Sequence, residues 1–145
     1  MKITALIILL VGLTASQAIS AEWEPIGETG RYFDKTSLIV VNKNVVSVSV
    51  KTTSSVGEIV RLDDNLRKNG SAFNFSKYSH TILQEYMNCK EDTTALKNVT
   101  HYDKSGKPIT SSDFSETEYE KVVPNSVGSE ILITICNYAV INVKK

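Results

Sequence analysis

Cysteine supplies the most informative chemistry in this sequence, which contains two such residues, Cys89 and Cys136. Two cysteines with none left over are typical of one intramolecular disulfide when a small domain is exported to an oxidising compartment. The chain-entropy model gives such a bridge roughly 4 kcal/mol, a large share of the ~5–15 kcal/mol that keeps a domain folded. Two free thiols and an intermolecular bond are the alternatives that the residues leave open.

The other side chains that could carry out chemistry do not form a recognisable site. His80 and His101 are the only histidines, and neither has Cys, Asp or Glu at metal-ligand spacing, so we expect both to face solvent on strands. Asp63 and Asp64 are consecutive, and consecutive side chains do not converge on one substrate. GxSxG, HExxH and glycine-rich phosphate-loop motifs are absent. The sequence therefore predicts a protein that is not an enzyme, with no catalytic, metal-binding or cofactor-binding residue; an unrecognised small hydrolase is the least favoured alternative.

Two further sets of side chains are candidates for binding. Glu116, Glu118 and Glu120 alternate with other residues, so on a strand they would share one face. Such a face suits calcium or a basic partner, but a solvated outer edge that deters aggregation is the favoured interpretation. The chain also contains six tyrosines, a residue type common at interfaces. We expect half or more of them to pack between sheet and helix.

The N-terminal segment has the three-part layout of a secretory signal peptide. Lys2 precedes an apolar run over residues 3–13, and small and polar residues follow over 14–21. The run is too short for the ~30 Å hydrocarbon layer of a bilayer, which disfavours a retained membrane anchor. We predict a signal peptide at 1–21 and one domain at 22–145. No cysteine lies near the cut, so lipid attachment is not expected, and no integral membrane segment would remain after cleavage.

The charge balance argues against nucleic acid as a partner. The full chain has 16 basic and 16 acidic side chains. Cleavage after Ala21 would remove Lys2 and no acid, which leaves the domain close to neutral. Such a domain gives no electrostatic case for binding nucleic acid or anionic lipid. Its length suits one modest core and not two domains.

Hydrophobic periodicity places most of the domain in strands. Val46, Val48 and Val50 alternate with polar residues over 45–52, which predicts a strand with one buried face. The same alternation runs over 78–87. Asn42-Lys43-Asn44 and Asp103-Lys104-Ser105-Gly106 are typical of hairpin turns. Shorter strands are predicted over 31–34, 38–41, 96–102, 107–110 and 117–123.

The C-terminal run Ile131 to Cys136 is ambiguous on pattern alone. Its β-branched residues favour a strand. A helix, however, would place Val127, Ile131, Ile135 and Ala139 on one stripe. Ser126 is positioned to cap such a helix.

The chain resembles the surface-adhesin protein E family of bacterial exported proteins. The resemblance lies in an aromatic, Asp, Ser and apolar segment over 31–38 and in four motifs of the second half: Tyr-Met-Asn-Cys at 86–89, His-Tyr-Asp at 101–103, Pro-Asn-Ser at 124–126 and Ile-Cys-Asn-Tyr at 135–138. The resemblance depends on the order of these motifs and on the positions of both cysteines. It covers most of the domain except residues 54–77.

The resemblance implies an α+β fold, in which an antiparallel sheet of about six strands carries a C-terminal helix tied to it by the Cys89–Cys136 disulfide. It also implies an exported, non-enzymatic, adhesin-like binding module, periplasmic, outer-surface or secreted, whose partner is a host matrix or plasma protein. The family's dimers make a homodimer an expectation. The alternative function is a periplasmic structural or inhibitory protein that docks to another envelope protein. The resemblance assigns no binding residue.

Overall fold

The computed structural model describes residues 20–54, 68, 75–115 and 118–142. Within them, eight strands precede one long C-terminal helix. The strands are β1 (Trp23–Ile26), β2 (Arg31–Asp34), β3 (Ile39–Asn42), β4 (Val45–Thr52), β5 (Tyr78–Asn88), β6 (Thr93–Asp103), β7 (Pro108–Asp113) and β8 (Glu120–Lys121), and the helix is α1 (Val127–Asn142).

The strands form one antiparallel sheet in the order β1-β2-β4-β5-β6-β7. The remaining two strands extend rows that are already present: β3 pairs with β4 beyond the end of β2, and β8 pairs with β6 beyond the end of β7. The sheet is therefore six rows wide, which confirms the predicted α+β fold with an antiparallel sheet of about six strands.

One face of the sheet is covered by α1. Ile131, Ile135 and Ala139 lie on one side of the helix and are buried against the sheet, as the apolar stripe predicts, whereas Val127 is exposed. Ser126 Oγ accepts a hydrogen bond from the Ser129 amide at 3.2 Å, so the predicted helix cap is present. The sheet contributes the rest of the core: Ile26, Phe33, Val46, Val48, Val50 and Met87.

The disulfide joins these two layers. Cys89 follows the last residue of β5 and is bonded to Cys136 in the middle of α1, with 5.7 Å between the two Cα atoms. The Cys89 amide also donates to the Asn44 carbonyl at 2.8 Å, which holds it beside the β3–β4 turn. The link between strand and helix that the family resemblance implied is therefore present.

In each of the two predicted hairpin turns, one side-chain oxygen accepts hydrogen bonds from backbone amides of the turn. Asn42 Oδ1 accepts from the amides of Asn44 and Val45. Asp103 Oδ1 accepts from the Ser105 and Lys107 amides, while Gly106 adopts a φ of +80°. Hydrogen bonding of this kind is why Asn and Asp favour turns.

One strand is shorter than predicted. The sequence predicts a strand over 117–123, but β8 consists of Glu120 and Lys121 alone. On β6, residues 98–102 pair with β7, and β8 pairs only with Thr93 and Thr94.

Within the described ranges, no helix combines the length and the apolar character needed to cross a bilayer.

Candidate binding surface

The sheet presents a second face, and no helix of the described part of the chain packs against it. Successive residues of a strand point to opposite faces. Val46, Val48 and Val50 of β4 lie in the core beneath α1, so Ser47, Ser49 and Lys51 point away from the helix. We call this side the open face and define it by twelve residues: Trp23, Tyr32, Ser47, Ser49, Lys51, His80, Gln84, Tyr86, Asn98, Thr100, Tyr102 and Ser111. Among them, Ser47 and Thr100 are buried by their neighbours.

A carboxamide at the centre of the open face joins two serines of the adjacent strand. Gln84 lies directly opposite Ser49 in the β4–β5 pairing. Its Nε2 donates to Ser47 Oγ at 2.8 Å, and its Oε1 accepts from Ser49 Oγ at 2.9 Å. The amide plane is therefore fixed on both sides, while one Nε2 hydrogen and the second lone pair of Oε1 stay available to a ligand.

A second carboxamide repeats this arrangement between β6 and β7. Asn98 Nδ2 donates to Asp113 Oδ1 at 2.8 Å and to Ser111 Oγ at 3.1 Å. Its Oδ1 accepts from Thr100 Oγ1 at 2.8 Å. Because Asn98 pairs with Gln84 across β5 and β6, the two amides are neighbours on the open face.

Aromatic rings border the polar centre at the β1–β2 side. Lys51 Nζ lies 4.4 Å from the centroid of the Trp23 ring and 5.1 Å from that of the Tyr32 ring. A cation within about 6 Å of a ring face is attracted by its quadrupole. Lys51 is thus held between two rings at this border.

Further rings lie along β5 and β6. His80 stacks on Tyr102 with ring centroids 5.1 Å apart and an interplanar angle of 8°. Burial, with a smaller effect from nearby Lys51, lowers the pKa of His80, so its ring is uncharged at neutral pH. Towards the other end, Lys97 Nζ donates to the Tyr86 hydroxyl at 3.0 Å.

Asp34 positions the segment that carries Trp23. Its buried Oδ1 accepts from the Glu22 amide at 2.9 Å, from the Thr36 amide at 2.9 Å and from the Thr36 hydroxyl at 2.7 Å. The residue therefore fastens the start of β1 and caps the short 3-10 helix Lys35–Ser37 with one oxygen. Ser37 Oγ in turn accepts a hydrogen bond from the Ser49 amide. Ser49 lies on β4 between the residues that pair with β2 and those that pair with β3.

The N-terminal segment and the open face enclose a groove of about 300 Å³. This volume is at the lower end of the ~300–1,000 Å³ typical of small-ligand sites. The groove combines an aromatic border with amide and hydroxyl groups, and its lining residues in the predicted mature domain are Trp23, Asp34, Ser49, Ile82, Gln84, Asn98, Thr100 and Tyr102. Ala21, the last residue of the predicted signal peptide, also lies at the groove and would be lost on cleavage.

Comparison with known proteins identifies the family. The sequence model of the surface-adhesin protein E family matches residues 23–137. The chain belongs to the surface-adhesin protein E family. This finding confirms the resemblance drawn from the sequence motifs. A search of curated protein sequences finds no match.

Solved structures of Haemophilus influenzae protein E share the fold of this family member. Protein E from the non-typeable form aligns with a TM-score of 0.54 at 11% identity, covering 91% of this chain and 86% of that one. A second protein E structure gives 0.53 at 11% identity, with 80% and 84% covered. Crystal form II gives 0.50 at 12% identity, with 75% and 81% covered. At this identity the likeness concerns the fold.

The two histidines of this adhesin E domain lie on opposite faces of the sheet. His80 is on the open face beside Tyr102. His101 faces the other way: its Nδ1 lies 2.7 Å from Thr81 Oγ1. Its ring packs in an edge-to-face arrangement with that of Phe75, with 5.8 Å between the ring centroids. The expectation that both histidines face solvent is therefore wrong for His101, which is half-buried. Burial lowers the pKa of His101 as well.

Other residues singled out from the sequence do not converge on a site. Asp63, Asp64 and Glu116 lie outside the described residues. Glu118 and Glu120 are exposed. Among the described residues, no group of three or more His, Cys, Asp or Glu side chains is arranged to hold a metal ion.

The six tyrosines are divided between surfaces. Tyr138 packs edge-on against Phe33 beneath the helix, and Tyr78 packs near Phe75 on the same side of the sheet. Tyr32, Tyr86 and Tyr102 belong to the open face, and Tyr119 is exposed. The prediction that half or more of the tyrosines pack between sheet and helix is therefore wrong, because the open face holds three of the six and Tyr119 is exposed.

An exposed apolar edge forms a second candidate surface of this domain. Ile39, Val40 and Val41 of β3 are all exposed, and Val140 and Ile141 are exposed at the end of α1. A cavity of about 300 Å³ lies between these two elements and includes both disulfide cysteines in its lining. Exposed apolar strand edges favour association with another chain.

Proposed function

We propose that this protein is an exported, non-enzymatic surface adhesin that binds a host matrix or plasma protein through its open face. The observation that carries the proposal is the open face itself, an ordered polar centre with an aromatic border, in a member of the surface-adhesin protein E family. Tyrosine and tryptophan next to fixed hydrogen-bonding groups are typical of protein recognition surfaces. Export would depend on the signal peptide predicted at 1–21.

Protease shaving of intact cells tests the location. The protein is expressed in full length, and its digestion by external protease is compared between intact and osmotically lysed cells. Loss of the protein from intact cells supports surface display. Survival until lysis would contradict it and would favour the periplasmic docking protein as the function.

Two adjacent serines provide a matched test of the binding surface. Ser111 and Ser112 are both exposed on β7 and pair with Thr100 and Val99, so their side chains point to opposite faces. We expect Ser111→Arg to weaken binding to immobilised matrix and plasma proteins about tenfold or more, because it places a bulky charge on the open face. Ser112→Arg is expected to bind like the wild type. Equal binding by both variants would exclude the open face as the contact.

We also propose a homodimer, which family membership favours and for which β3 offers an exposed apolar contact. Sedimentation of the purified domain tests the proposal. Val40→Asp is expected to shift a dimer to monomer, because a charge would be buried in an apolar contact. A wild-type protein that sediments as a monomer at high micromolar concentration would contradict the proposal.

A further inference from the structure

The groove on the open face offers uncharged polar groups at its centre. Gln84, Asn98, Ser49 and Thr100 contribute amides and hydroxyls, and the hydrogen bonds between them fix their orientation. Gln84 keeps one Nε2 hydrogen for a ligand, whereas both Nδ2 hydrogens of Asn98 and the Ser49 and Thr100 hydroxyl hydrogens are already donated. The oxygens of Gln84, Asn98 and Ser49 can each accept a further hydrogen bond. Such a set complements a ligand that itself carries many hydroxyl groups.

The charged groups around the groove are already engaged. Asp34 accepts three hydrogen bonds on one oxygen, and Asp113 accepts from Asn98. Lys51 is held by the Trp23 and Tyr32 rings, and Lys97 donates to Tyr86 at the far side of the face. The groove thus presents neither an excess of cations for a sulfated or phosphorylated ligand nor an excess of anions for a basic peptide.

Two donors in the groove lining have no partner in the described part of the chain. Trp23 Nε1 and the Tyr102 hydroxyl make no hydrogen bond there, although both residues are only partly exposed. Tyrosine and tryptophan normally satisfy these groups when they are removed from water. Both rings also offer an electron-rich face, which attracts the weakly positive C–H groups of a saturated ring.

From these observations we infer that the groove binds a neutral oligosaccharide, such as the glycan of a host glycoprotein. The inference rests on the proposed function, because it names the ligand class of the same open face. The pyranose ring would pack on Trp23 or Tyr102, and its hydroxyls would pair with Gln84 and Asn98. The groove volume of about 300 Å³ accommodates a short stretch of such a chain.

Trp23 makes the test direct, because it is the only tryptophan of the chain. The purified domain is first applied to an array of defined neutral and anionic oligosaccharides. Those that bind are then titrated in solution while the Trp23 emission is recorded. The expected result is a saturable change with one or more neutral oligosaccharides. Binding restricted to anionic oligosaccharides, or to none on the array, would overturn the inference.

Three substitutions locate the site. We expect Tyr102→Ala to weaken the neutral oligosaccharide about tenfold or more, and Gln84→Ala about three- to tenfold, which is the effect of losing one or two hydrogen bonds. Asn137→Ala is the matched control, because Asn137 is exposed on the outer side of α1. The fold of each variant is checked by its urea midpoint. Loss of binding in all three variants, or in none, would overturn the assignment of the groove.

A final arm separates this inference from the proposed function. Binding to immobilised host glycoproteins is measured before and after enzymatic removal of their glycans. Loss of binding on deglycosylation supports the glycan as ligand. Full binding to the deglycosylated protein would overturn the glycan inference and leave the adhesin proposal standing, whereas failure to bind either form would count against both.

Discussion

Cys136 in the middle of α1 is bonded to Cys89 directly after β5, and this bond joins residues 47 positions apart in the sequence. We expect Cys136→Ser to lower the free energy of unfolding by about 2–5 kcal/mol, mainly because the unfolded chain gains freedom. Urea denaturation followed by circular dichroism measures the loss. The far-ultraviolet circular dichroism spectrum should show a loosened helix and a largely intact sheet.

The double variant Cys89→Ser/Cys136→Ser serves as the control for the thiol that Cys136→Ser leaves behind. Both variants remove the same link, so their urea midpoints should agree. A Cys136→Ser midpoint equal to that of the wild type under oxidising conditions would refute the stabilising role of the bond.

Asp34 and the start of β1 yield a second prediction. Asp34→Ala removes the acceptor of three hydrogen bonds and leaves the Glu22 and Thr36 amides without it. We expect a loss of about 1–3 kcal/mol in the free energy of unfolding. We also expect a red shift of the Trp23 emission as the segment loosens. Asp34→Asn keeps an acceptor oxygen and should lose less, so equal losses in the two variants would contradict this account.

The sequence predicts a strand, and which of its faces is buried, where one face of that strand packs against the core along its length. Val46, Val48 and Val50 alternate with polar residues because their strand lies beneath a helix on one side only. The helix at 127–142 is less accessible to prediction, since β-branched Ile131, Ile133 and Ile135 favour a strand locally. Packing of the buried stripe and the bond to Cys89 override that preference.

The groove could not be predicted in the same way. Ser49, Gln84 and Asn98 belong to three separate strands, and no local pattern indicates that they meet. Their proximity depends on strand order and on register, including the irregularity between Gln84 and Glu85 in the β5–β6 pairing. Polar residues on a strand are consistent with any solvated face, so their types alone carry no signal of a site. The N-terminal segment that closes the groove is likewise fixed by tertiary contacts of Asp34.

His101 leads to a prediction about pH. Burial lowers the folded-state pKa of His101 below its ordinary value of 6.5. Well above pH 6.5 both folded and unfolded states hold it neutral, so it adds no pH dependence there. As the pH falls below 6.5, the unfolded chain takes up a proton that the folded chain resists, and stability declines until the folded pKa is passed. His80, whose pKa burial and Lys51 lower, acts with the same sign.

We therefore expect the urea midpoint of the wild type to fall as the pH is lowered from 7.5 to 5.5. His101→Gln should flatten this dependence, and the variant with both histidines replaced should flatten it further. Midpoints measured at half-unit intervals test the prediction. A wild-type slope that persists unchanged in the double variant would assign the dependence to other groups.

Glu85 titrates with the opposite sign. It lies on the helix side of β5, opposite Val48 of β4. Burial raises its pKa above the ordinary 4.5, and the nearby Arg31 offsets only part of that effect. The unfolded chain thus releases this proton at a lower pH than the folded chain does. The stability that Glu85 contributes is complete below pH 4.5 and is lost as the pH rises through the folded pKa.

We expect Glu85→Gln to raise the urea midpoint at pH 7, because the amide removes a charge that burial keeps from water. The advantage over wild type should shrink as the pH falls towards 4.5, where the wild-type carboxyl is itself protonated. Glu28→Gln is the matched control, since Glu28 is exposed, and it should show no comparable gain. If Glu85→Gln is instead less stable than wild type at pH 7, the attraction between Glu85 and Arg31 outweighs the cost of burial.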